Sequence, residues 1–211
     1  MNVLEADSVV VRYDSRTILD NVYIKIQQGE VVGLLGRNGC GKSTLLKSVF
    51  GAIVAEHKTI RINGEWTNAG YVRSKVKMLP QFDMVPNNIR MSQAMRLFGV
   101  DLSKVAGSMP HLLPLLDLRP GQLSGGDRRI AELLLVLYSK SDFCFLDEPF
   151  TGLSPVVVER VAGIISEVKK EKGILVTDHL YRVVAGCADR IYSFKNGRLR
   201  ESSAIDPKKL Y

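Results

Sequence analysis

Hydrophobic and polar residues alternate along NVYIKIQ, residues 21–27, which places one valine and two isoleucines on the same face. A period of two residues is typical of a strand in an antiparallel sheet with one exposed face. Residues 3–12 provide a plausible partner strand, and Asn63-Gly64 in TIRINGEWT predicts a type I′ turn between two short strands. The early part of the chain is therefore predicted to form an antiparallel β subdomain.

From residue 30 onward, short apolar runs alternate with segments of helical periodicity. The predicted strands are 30–35, 143–146, 174–177 and 190–194. The predicted helices run from about Lys42 through Ile53, over 125–139 and 155–170, and from about His179. Residues 85–121 are predicted to be a helical, loop-rich insertion. Strands that alternate with helices favour a mostly parallel sheet covered on both faces, with phosphate sites at the carboxyl ends of its strands.

The composition suits one compact domain, since the 211 residues are 45% hydrophobic and 24% charged. The longest apolar runs have about six residues, whereas a membrane-spanning helix needs about twenty. The N-terminus lacks the pattern of a secretory signal, so we expect a cytosolic protein without a spanning segment. Cys40, Cys144 and Cys187 are far apart and odd in number, which predicts free thiols.

The net charge of +7 is compatible with a nucleic acid, an anionic lipid or a phosphorylated ligand, or with scattered solvated lysines. Basic residues are spread over 58–77, 169–172 and 195–209 without a dense block, and aromatic residues do not interleave with them. We therefore expect no direct binding of nucleic acid.

Residues 36–43, GRNGCGKS, match the phosphate-loop pattern G-x-x-x-x-G-K-[ST] between an apolar strand and a helix. In such a loop the glycines let backbone amides face the phosphates, Lys42 supplies positive charge, and Ser43 can ligate magnesium. The pattern predicts a site for a nucleoside triphosphate.

Asp147 and Glu148 follow directly after the predicted strand 143–146. Alone, this acidic pair is more often a surface turn. Beside a phosphate loop, Asp147 can hold magnesium and Glu148 can orient or deprotonate an attacking water.

A second glycine-rich turn, LSGGD at residues 123–127, precedes another predicted helix. Its serine and glycines offer a hydroxyl and open amides to an anion, although such a turn also serves as a simple helix cap.

The order of phosphate loop, Gln81, LSGGD, Asp147-Glu148 and His179 resembles that of the ATP-binding cassette (ABC) ATPases over nearly the whole chain. The resemblance implies an α/β P-loop NTPase core with a mostly parallel sheet, an N-terminal antiparallel β subdomain and an inserted helical lobe. In one domain, 1–211, the segments would be 1–84 for the β subdomain and P-loop core, 85–122 for the lobe, and 123–211 for the signature helix and remaining core.

The resemblance also assigns roles to residues. The implied ATP-binding residues are Tyr13, stacked on adenine, and the Walker A loop Gly36, Arg37, Asn38, Gly39, Cys40, Gly41, Lys42, Ser43 and Thr44. The implied signature residues, which contact the ATP held by the other subunit, are Leu123, Ser124, Gly125, Gly126 and Asp127. The implied catalytic residues are Glu148, His179 and Gln81, and the implied magnesium ligands are Ser43, Gln81 and Asp147. Taken singly, Tyr13 could be a strand aromatic, Gln81 a loop amide and His179 a helix start.

Two positions depart from the family pattern. Ser154 stands where an acid is usual, in a loop that touches the partner's phosphate loop, and Leu135 stands where relatives commonly have an arginine. The loss of charge at Ser154 puts communication between the two nucleotide sites in question.

The resemblance implies a subunit that binds and hydrolyses ATP with Mg²⁺ and powers a separate membrane transporter subunit. It also implies a dimer, formed with a second copy of the chain or with a related cassette, around two ATP molecules. We expect that subunit to dock near Gln81, on Phe82, Met84 and Val85, and to hold the chain at the inner face of the cell membrane. The alternatives are a soluble, non-transport ABC ATPase and a weakly hydrolytic regulatory module. DEPFTGLSP and TDHL resemble cassettes of branched-chain amino-acid importers and of lipopolysaccharide exporters, without choosing a substrate or direction.

Overall fold

The computed structural model describes residues 1–202, which form two sheets. The strands are β1 Val3–Tyr13, β2 Arg16–Gln27, β3 Val31–Leu35, β4 His57–Ile62, β5 Glu65–Thr67, β6 Val76–Leu79, β7 Phe143–Asp147, β8 Gly173–Thr177, β9 Arg190–Lys195 and β10 Arg198–Ser202. The helices are α1 Lys42–Phe50, α2 Met91–Leu97, α3 Leu102–Ser108, α4 Gly125–Leu137, α5 Pro155–Val168 and α6 Tyr181–Cys187. The ends of the predicted segment 123–211 and of the basic stretch 195–209 lie outside the described residues.

The antiparallel sheet has the strand order β2-β1-β4-β5. β1 pairs with β2 and β4, as the alternation along residues 21–27 predicted. The turn between β4 and β5 has φ values of 55° at Asn63 and 81° at Gly64, and Ile62 pairs with Glu65. Both positive angles fit the predicted type I′ hairpin, which is thereby confirmed.

The larger sheet has the order β10-β9-β3-β8-β7-β6, and β10 is its antiparallel edge strand. The predicted apolar strands all belong to it, whereas β6 and β10 were not predicted. β6 has only four residues, and β10 is rich in charged residues. Their strand conformation depends on pairing with β7 and β9, which local pattern does not show.

The central strands are apolar throughout because both faces of the larger sheet are buried. In β3, Val31 and Leu35 contact the core formed with α4, α5 and α6. Val32 and Leu34 contact the core that joins this sheet to α1 and the antiparallel sheet. The predicted sheet covered on both faces is confirmed.

Four predicted helix boundaries were wrong, and two of them are the ends of α4 and α5, which each lie two residues before the predicted position. α1 ends at Phe50, so Ile53 lies outside it, because Gly51 takes a left-handed φ of 104° and donates a hydrogen bond to the Lys47 carbonyl. α6 begins at Tyr181 rather than near His179. There, the Asp178 carboxylate accepts a hydrogen bond from the Leu180 amide at 2.9 Å, which fixes a turn before the helix.

The segment between β6 and α4 contains α2, α3 and short 3₁₀ turns, in agreement with the predicted helical insertion. Met91 and Met95 of α2 are buried against the core. The predicted fold class is therefore confirmed. No helix within residues 1–202 is long and apolar enough to span a membrane.

Candidate functional site

The candidate functional site is a cleft of about 610 Å³ where the loops after β3, β6, β7 and β8 meet the end of β1. Its lining residues are Tyr13, Arg16, Ile18, Asn38, Gly39, Gly41, Lys42, Ser43, Thr44, Gln81, Glu148 and His179. A cleft of this size suits a small-molecule ligand, and it lies at the sheet edge where parallel folds bind ligands.

The loop from Gly36 to Gly41 has the backbone shape of a phosphate cradle. Gly39 and Gly41 have φ values of 73° and 116°, in the left-handed region that favours glycine. A Cβ atom on Gly41 would lie 3.0 Å from the ring of Phe194. Because Gly41 is also the cap residue of α1, the first amides of that helix are left facing the cleft without a covering side chain.

The Lys42 side chain crosses the loop that it follows. Its Nζ donates hydrogen bonds to the carbonyls of Gly36 at 2.8 Å and Arg37 at 3.0 Å. This places a positive charge at the N-terminus of α1, where an anion is already favoured by the helix dipole.

Ser43, which lines the cleft, forms a pair with the buried Asp147. The Ser43 hydroxyl donates to Asp147 Oδ1 at 2.9 Å, and Oδ2 is buried without a hydrogen-bond partner among residues 1–202. Burial raises the pKa of Asp147, while the Ser43 hydrogen bond opposes that shift. A buried, unpartnered carboxylate oxygen beside a hydroxyl fits a magnesium ion.

No cluster of three or more His, Cys, Asp or Glu side chains in the described part of the chain could hold a metal alone. A magnesium ion here would therefore need further oxygen ligands from phosphates or water, as is usual at nucleotide sites.

Gln81 and Glu148 face each other across the cleft. Gln81 Nε2 donates to Glu148 Oε2 at 3.1 Å. Glu148 has a left-handed φ of 52°, and its amide donates to the Thr177 carbonyl at 2.8 Å. Glu148 lines the cleft, whereas the preceding Asp147 is buried.

His179 lines the same cleft after β8. Its Nδ1 lies 3.4 Å from Asp178 Oδ1, and the buried Asp178 also accepts hydrogen bonds from the amides of Phe150 and Leu180. Asp178 therefore links the loops after β7 and β8. The imidazole of His179 is half-exposed and accessible to a ligand.

Tyr13 lies at the end of β1, on the rim of the cleft, with 52% of its surface exposed. Arg16, which begins β2, lines the cleft beside it. An exposed aromatic ring at this rim offers a surface on which a nucleobase can stack.

The signature turn lies elsewhere, since residues 123–127 do not line the cleft in the described structure. Ser124 is the cap residue of α4: its hydroxyl accepts from the Asp127 amide at 3.1 Å and donates to Asp127 Oδ2 at 2.7 Å. Ser124 and Gly125 are exposed, and a Cβ atom on Gly125 would meet nothing within 4 Å. The geometry therefore leaves this turn open to solvent.

Comparison with known proteins identifies the family. A model of the family described as ABC transporter matches residues 19–151, which is more than half of the chain. The chain belongs to the ABC transporter family. Among similar curated proteins is the ABC protein named high-affinity branched-chain amino acid transport ATP-binding protein BraG from Pseudomonas aeruginosa. It is 28% identical over 211 residues, covering 93% of this chain and 91% of the relative.

Two other ABC relatives have export in their names. The lipopolysaccharide export system ATP-binding protein LptB from Acidithiobacillus ferridurans is 28% identical, over 93% of this chain and 88% of the relative. The Nod factor export ATP-binding protein I from Paraburkholderia xenovorans is 30% identical, over 92% of this chain and 68% of the relative.

Solved ABC structures show the same fold. An ATP-binding subunit of an ABC transporter has a TM-score of 0.81 at 23% identity, over 98% of this chain and 92% of that chain. A nucleotide-free ATP-binding cassette has a TM-score of 0.81 at 21% identity, over 100% and 95% of the two chains. The chain is thus an ATP-binding ABC ATPase whose hydrolysis of ATP is coupled to transport.

The predicted docking surface near Gln81 needs one correction. Phe82 is 74% exposed and Met84 is half-buried, but Val85 is only 4% exposed and belongs to the core. Glu132 of α4 accepts hydrogen bonds from the amides of Met84 and Val85, at 2.9 and 3.0 Å. These bonds draw the loop inward, so Val85 is not available for docking.

Sequence reasoning missed Arg129, Arg16 and Asp178. Arg129 is buried in α4 and donates to the carbonyls of Pro80, Asp147 and Glu148. The sequence did contain a signal for Arg129. This residue stands directly before the apolar face of a helix, where a charged side chain that becomes buried must find polar partners. Leu135, at the position where an arginine is common, is completely buried among apolar residues.

Proposed function

We propose that two copies of this chain bind two ATP molecules between them, with each site built from the cleft of one copy and the Ser124 turn of the other. Hydrolysis would then power a separate integral membrane subunit. One observation supports this arrangement above all: Lys42, Glu148 and His179 line one cleft, while the Ser124 turn is exposed outside it. Ser43 of the same cleft donates a hydrogen bond to the buried Asp147.

In this proposal the triphosphate lies on the first turn of α1. The open amides behind Gly41 and the ammonium group of Lys42 bind its phosphate oxygens. Lys42 exchanges its hydrogen bonds to the Gly36 and Arg37 carbonyls for bonds to phosphate. The ring of Tyr13 supports the base at the rim of the cleft.

Magnesium, when bound, would neutralise charge on the phosphates, with Ser43 and Asp147 as direct or water-mediated ligands and Gln81 reaching it from the facing loop. Ser43 already lies at hydrogen-bond distance from Asp147, so these two ligands are arranged before binding.

Glu148 accepts the proton of the attacking water in the hydrolysis step, and Gln81, 3.1 Å away, helps to hold that water. His179 contacts the terminal phosphate, and its contact with Asp178 orients the ring. General-base catalysis of this kind contributes about 10²–10⁴-fold to a rate.

Ser124 and the neighbouring amides contact the terminal phosphate held by the other copy. Each charge-assisted hydrogen bond of this kind contributes about 1.5–3 kcal/mol. Loss of the terminal phosphate on hydrolysis removes these bonds, so the pair opens. Opening and closing of the pair would move the attached membrane subunit.

The membrane subunit would dock on the loop after Gln81, where Phe82 presents an exposed aromatic ring. Docking there would hold the chain at the inner face of the cell membrane. One relative is named for branched-chain amino acid transport and another for lipopolysaccharide export, so the names of the relatives differ in the substrate.

To test this function, the tagged chain is purified from the membranes of the cells that naturally produce it, and phosphate release is then assayed. We expect an integral membrane protein to copurify and Glu148→Gln to lower phosphate release about 10²–10⁴-fold while ATP binding persists. Glu159→Gln, on the exposed side of α5, is the matched control.

Each alternative function has its own outcome in this experiment. Recovery of ribosomes or DNA without an integral membrane protein would favour the soluble, non-transport ATPase. Absence of phosphate release from the chain and from its complex would favour the regulatory module.

A further inference from the structure

Arg129 joins the two loops that hold the candidate catalytic residues. Its Nη1 donates to the Pro80 carbonyl at 2.8 Å, and its Nη2 donates to the carbonyls of Asp147 at 2.8 Å and Glu148 at 2.9 Å. Pro80 directly precedes Gln81. One guanidinium group therefore fixes the main chain on both sides of the 3.1 Å contact between Gln81 and Glu148.

The Glu148 backbone needs such support. Its φ of 52° is uncommon for a residue with a side chain, and such conformations persist where surrounding contacts determine them. The Glu148 amide is held by the Thr177 carbonyl, and the Glu148 carbonyl is held by Arg129. Loss of Arg129 would remove hydrogen bonds from the carbonyls of the two peptide groups that flank the Glu148 Cα atom.

Arg129 belongs to the same helix as the signature turn. It follows Ser124 by five residues, which is about 7.5 Å along a helix. A shift of the α4 N-terminus would therefore be passed through a short rigid element to the carbonyls of Asp147 and Glu148.

The chemistry of Arg129 suits contacts with several carbonyls at once. Its fork of donors reaches three carbonyl oxygens in two loops, which the single ammonium group of lysine matches poorly. Burial lowers the pKa of Arg129, whereas the nearby carboxylates of Glu132, Asp147, Asp178 and Glu148 raise it.

We infer that Arg129 is a positioning residue that connects the signature helix to Gln81 and Glu148, so that hydrolysis in one copy depends on how its own Ser124 turn engages the other copy's nucleotide. This inference rests on the proposed function, because it uses the roles given there to Glu148 and Ser124.

The matched control is the neighbouring Arg128. It contacts Asp83 at 2.8 Å, the Val85 carbonyl at 3.4 Å and Glu132 at 3.5 Å. Arg128 thus attaches the same helix to the loop that follows β6, but it does not donate to Asp147 or Glu148 in the described structure. Arg128→Met removes a comparable side chain and charge from the same turn of α4.

The test compares Arg129→Met, Arg129→Lys and Arg128→Met in the full chain with Mg-ATP, by kcat, KM, ATP Kd and Tm. Misplacement of a catalytic group by about 1 Å can cost about 10²-fold in rate, so we expect Arg129→Met to lower kcat about 10²-fold at nearly unchanged ATP Kd. Arg129→Lys should retain part of the rate, and Arg128→Met should hydrolyse ATP within about twofold of the unchanged chain.

A double-mutant cycle separates positioning from simple stabilisation. Ser124→Ala should lower kcat in the unchanged chain and have a clearly smaller effect in the Arg129→Met chain, because the connection is already broken. A merely structural role would lower Tm and leave the two effects additive. If Arg129→Met does not fold, the same cycle is run with Arg129→Lys.

Folded Arg129 variants with kcat within about twofold of the unchanged chain, or with additive effects of Ser124→Ala, would overturn the inference. Glu148→Gln is measured in parallel. If Glu148→Gln is inactive and the Arg129 variants are normal, only this inference fails. If Glu148→Gln hydrolyses ATP normally, the proposed function itself fails.

Discussion

Two glycine-rich turns begin helices in this protein, and their surroundings differ. The turn before α1 ends in Gly41, and its open amides face a cleft that also holds Lys42, Ser43 and Glu148. The turn before α4 begins with Ser124, whose side chain caps its own helix and faces solvent. Both turns offer amides to an anion, but within the described residues only the first faces the cleft that Lys42 and Glu148 line, with Ser43 paired to the buried Asp147.

A helix N-terminus therefore needs suitable neighbouring groups to become a nucleotide site. The α1 turn has positive charge, a buried carboxylate and a candidate base within one chain. The α4 turn has Asp127, 3.5 Å from His111, but within residues 1–202 it does not line that cleft. We propose that the other copy's triphosphate is its ligand. A change at the α1 turn should therefore weaken ATP binding, whereas a change at the α4 turn should weaken pairing of the two copies.

The largest effect is expected for Lys42→Ala, which should strongly weaken ATP binding. The charge-assisted hydrogen bonds of an ammonium group to phosphate contribute about 1.5–3 kcal/mol each, so loss of two should weaken ATP affinity by about 10²-fold or more. Calorimetric titration measures the change. Lys25→Ala on β2 removes the same charge away from the cleft and should bind ATP normally. Unchanged affinity in Lys42→Ala would refute the assignment of the phosphate loop.

A smaller effect is expected for Gly125→Ala at the second turn. A Cβ atom there meets nothing within 4 Å on its own chain, so alanine should leave the free chain stable or stabilise it by about 0.4–1 kcal/mol. If the other copy's triphosphate approaches closely, the same methyl group should weaken ATP-dependent pairing about tenfold, since overpacking costs about 1–3 kcal/mol.

Pairing of the Gly125→Ala chain is measured by light scattering with Mg-ATP in a Glu148→Gln background. Gly163→Ala in α5 is the matched control, because a Cβ atom there also meets nothing within 4 Å. Equal pairing of both alanine variants would show that nothing approaches the Ser124 turn.

The smallest effect is expected for Asp147→Asn in the nucleotide-free chain. Burial raises the folded-state pKa of Asp147 above 3.8, so its ionised form destabilises the fold as pH rises through the folded pKa. Asparagine should therefore raise the Tm near pH 7, by about 2–4 °C for each kcal/mol gained in the free energy of unfolding. The difference in Tm between the two chains should disappear below about pH 4.

Differential scanning fluorimetry across pH, with and without Mg-ATP, tests this expectation. Asp147→Asn should lose the additional stabilisation that Mg²⁺ gives in the presence of ATP. Asp142→Asn removes a carboxylate paired with Lys75 at 2.7 Å and should not raise the Tm. A Tm gain that persists at low pH would contradict the assigned cause.

Features that depend on contiguous residues could be predicted from the sequence. The apolar strand before Gly36, the phosphate loop and the Asn63-Gly64 turn are each encoded within a few neighbouring residues. The fold class and the family followed from the order of these motifs. The roles of the individual site residues remain predictions.

Features that depend on distant contacts could not be predicted in this way. Val85 was predicted to be available for docking, but its amide donates a hydrogen bond to Glu132, which is forty-seven residues away in the sequence. Arg129 can donate to the Pro80 and Asp147 carbonyls only because α4 packs beside the ends of β6 and β7. β10 becomes a strand by pairing with β9.

Contact between the Ser124 turn and the other copy's nucleotide site can be tested by crosslinking two differently tagged copies, one with Asn38→Cys and the other with Ser124→Cys. Both chains also have Glu148→Gln and Cys40→Ser, and Asn38 and Ser124 are exposed in the structure. We expect a disulfide between the two kinds of chain with Mg-ATP and none without nucleotide. Absence of this crosslink with saturating Mg-ATP, while the two chains still pair, would contradict the claim that the Ser124 turn contacts the other copy's nucleotide.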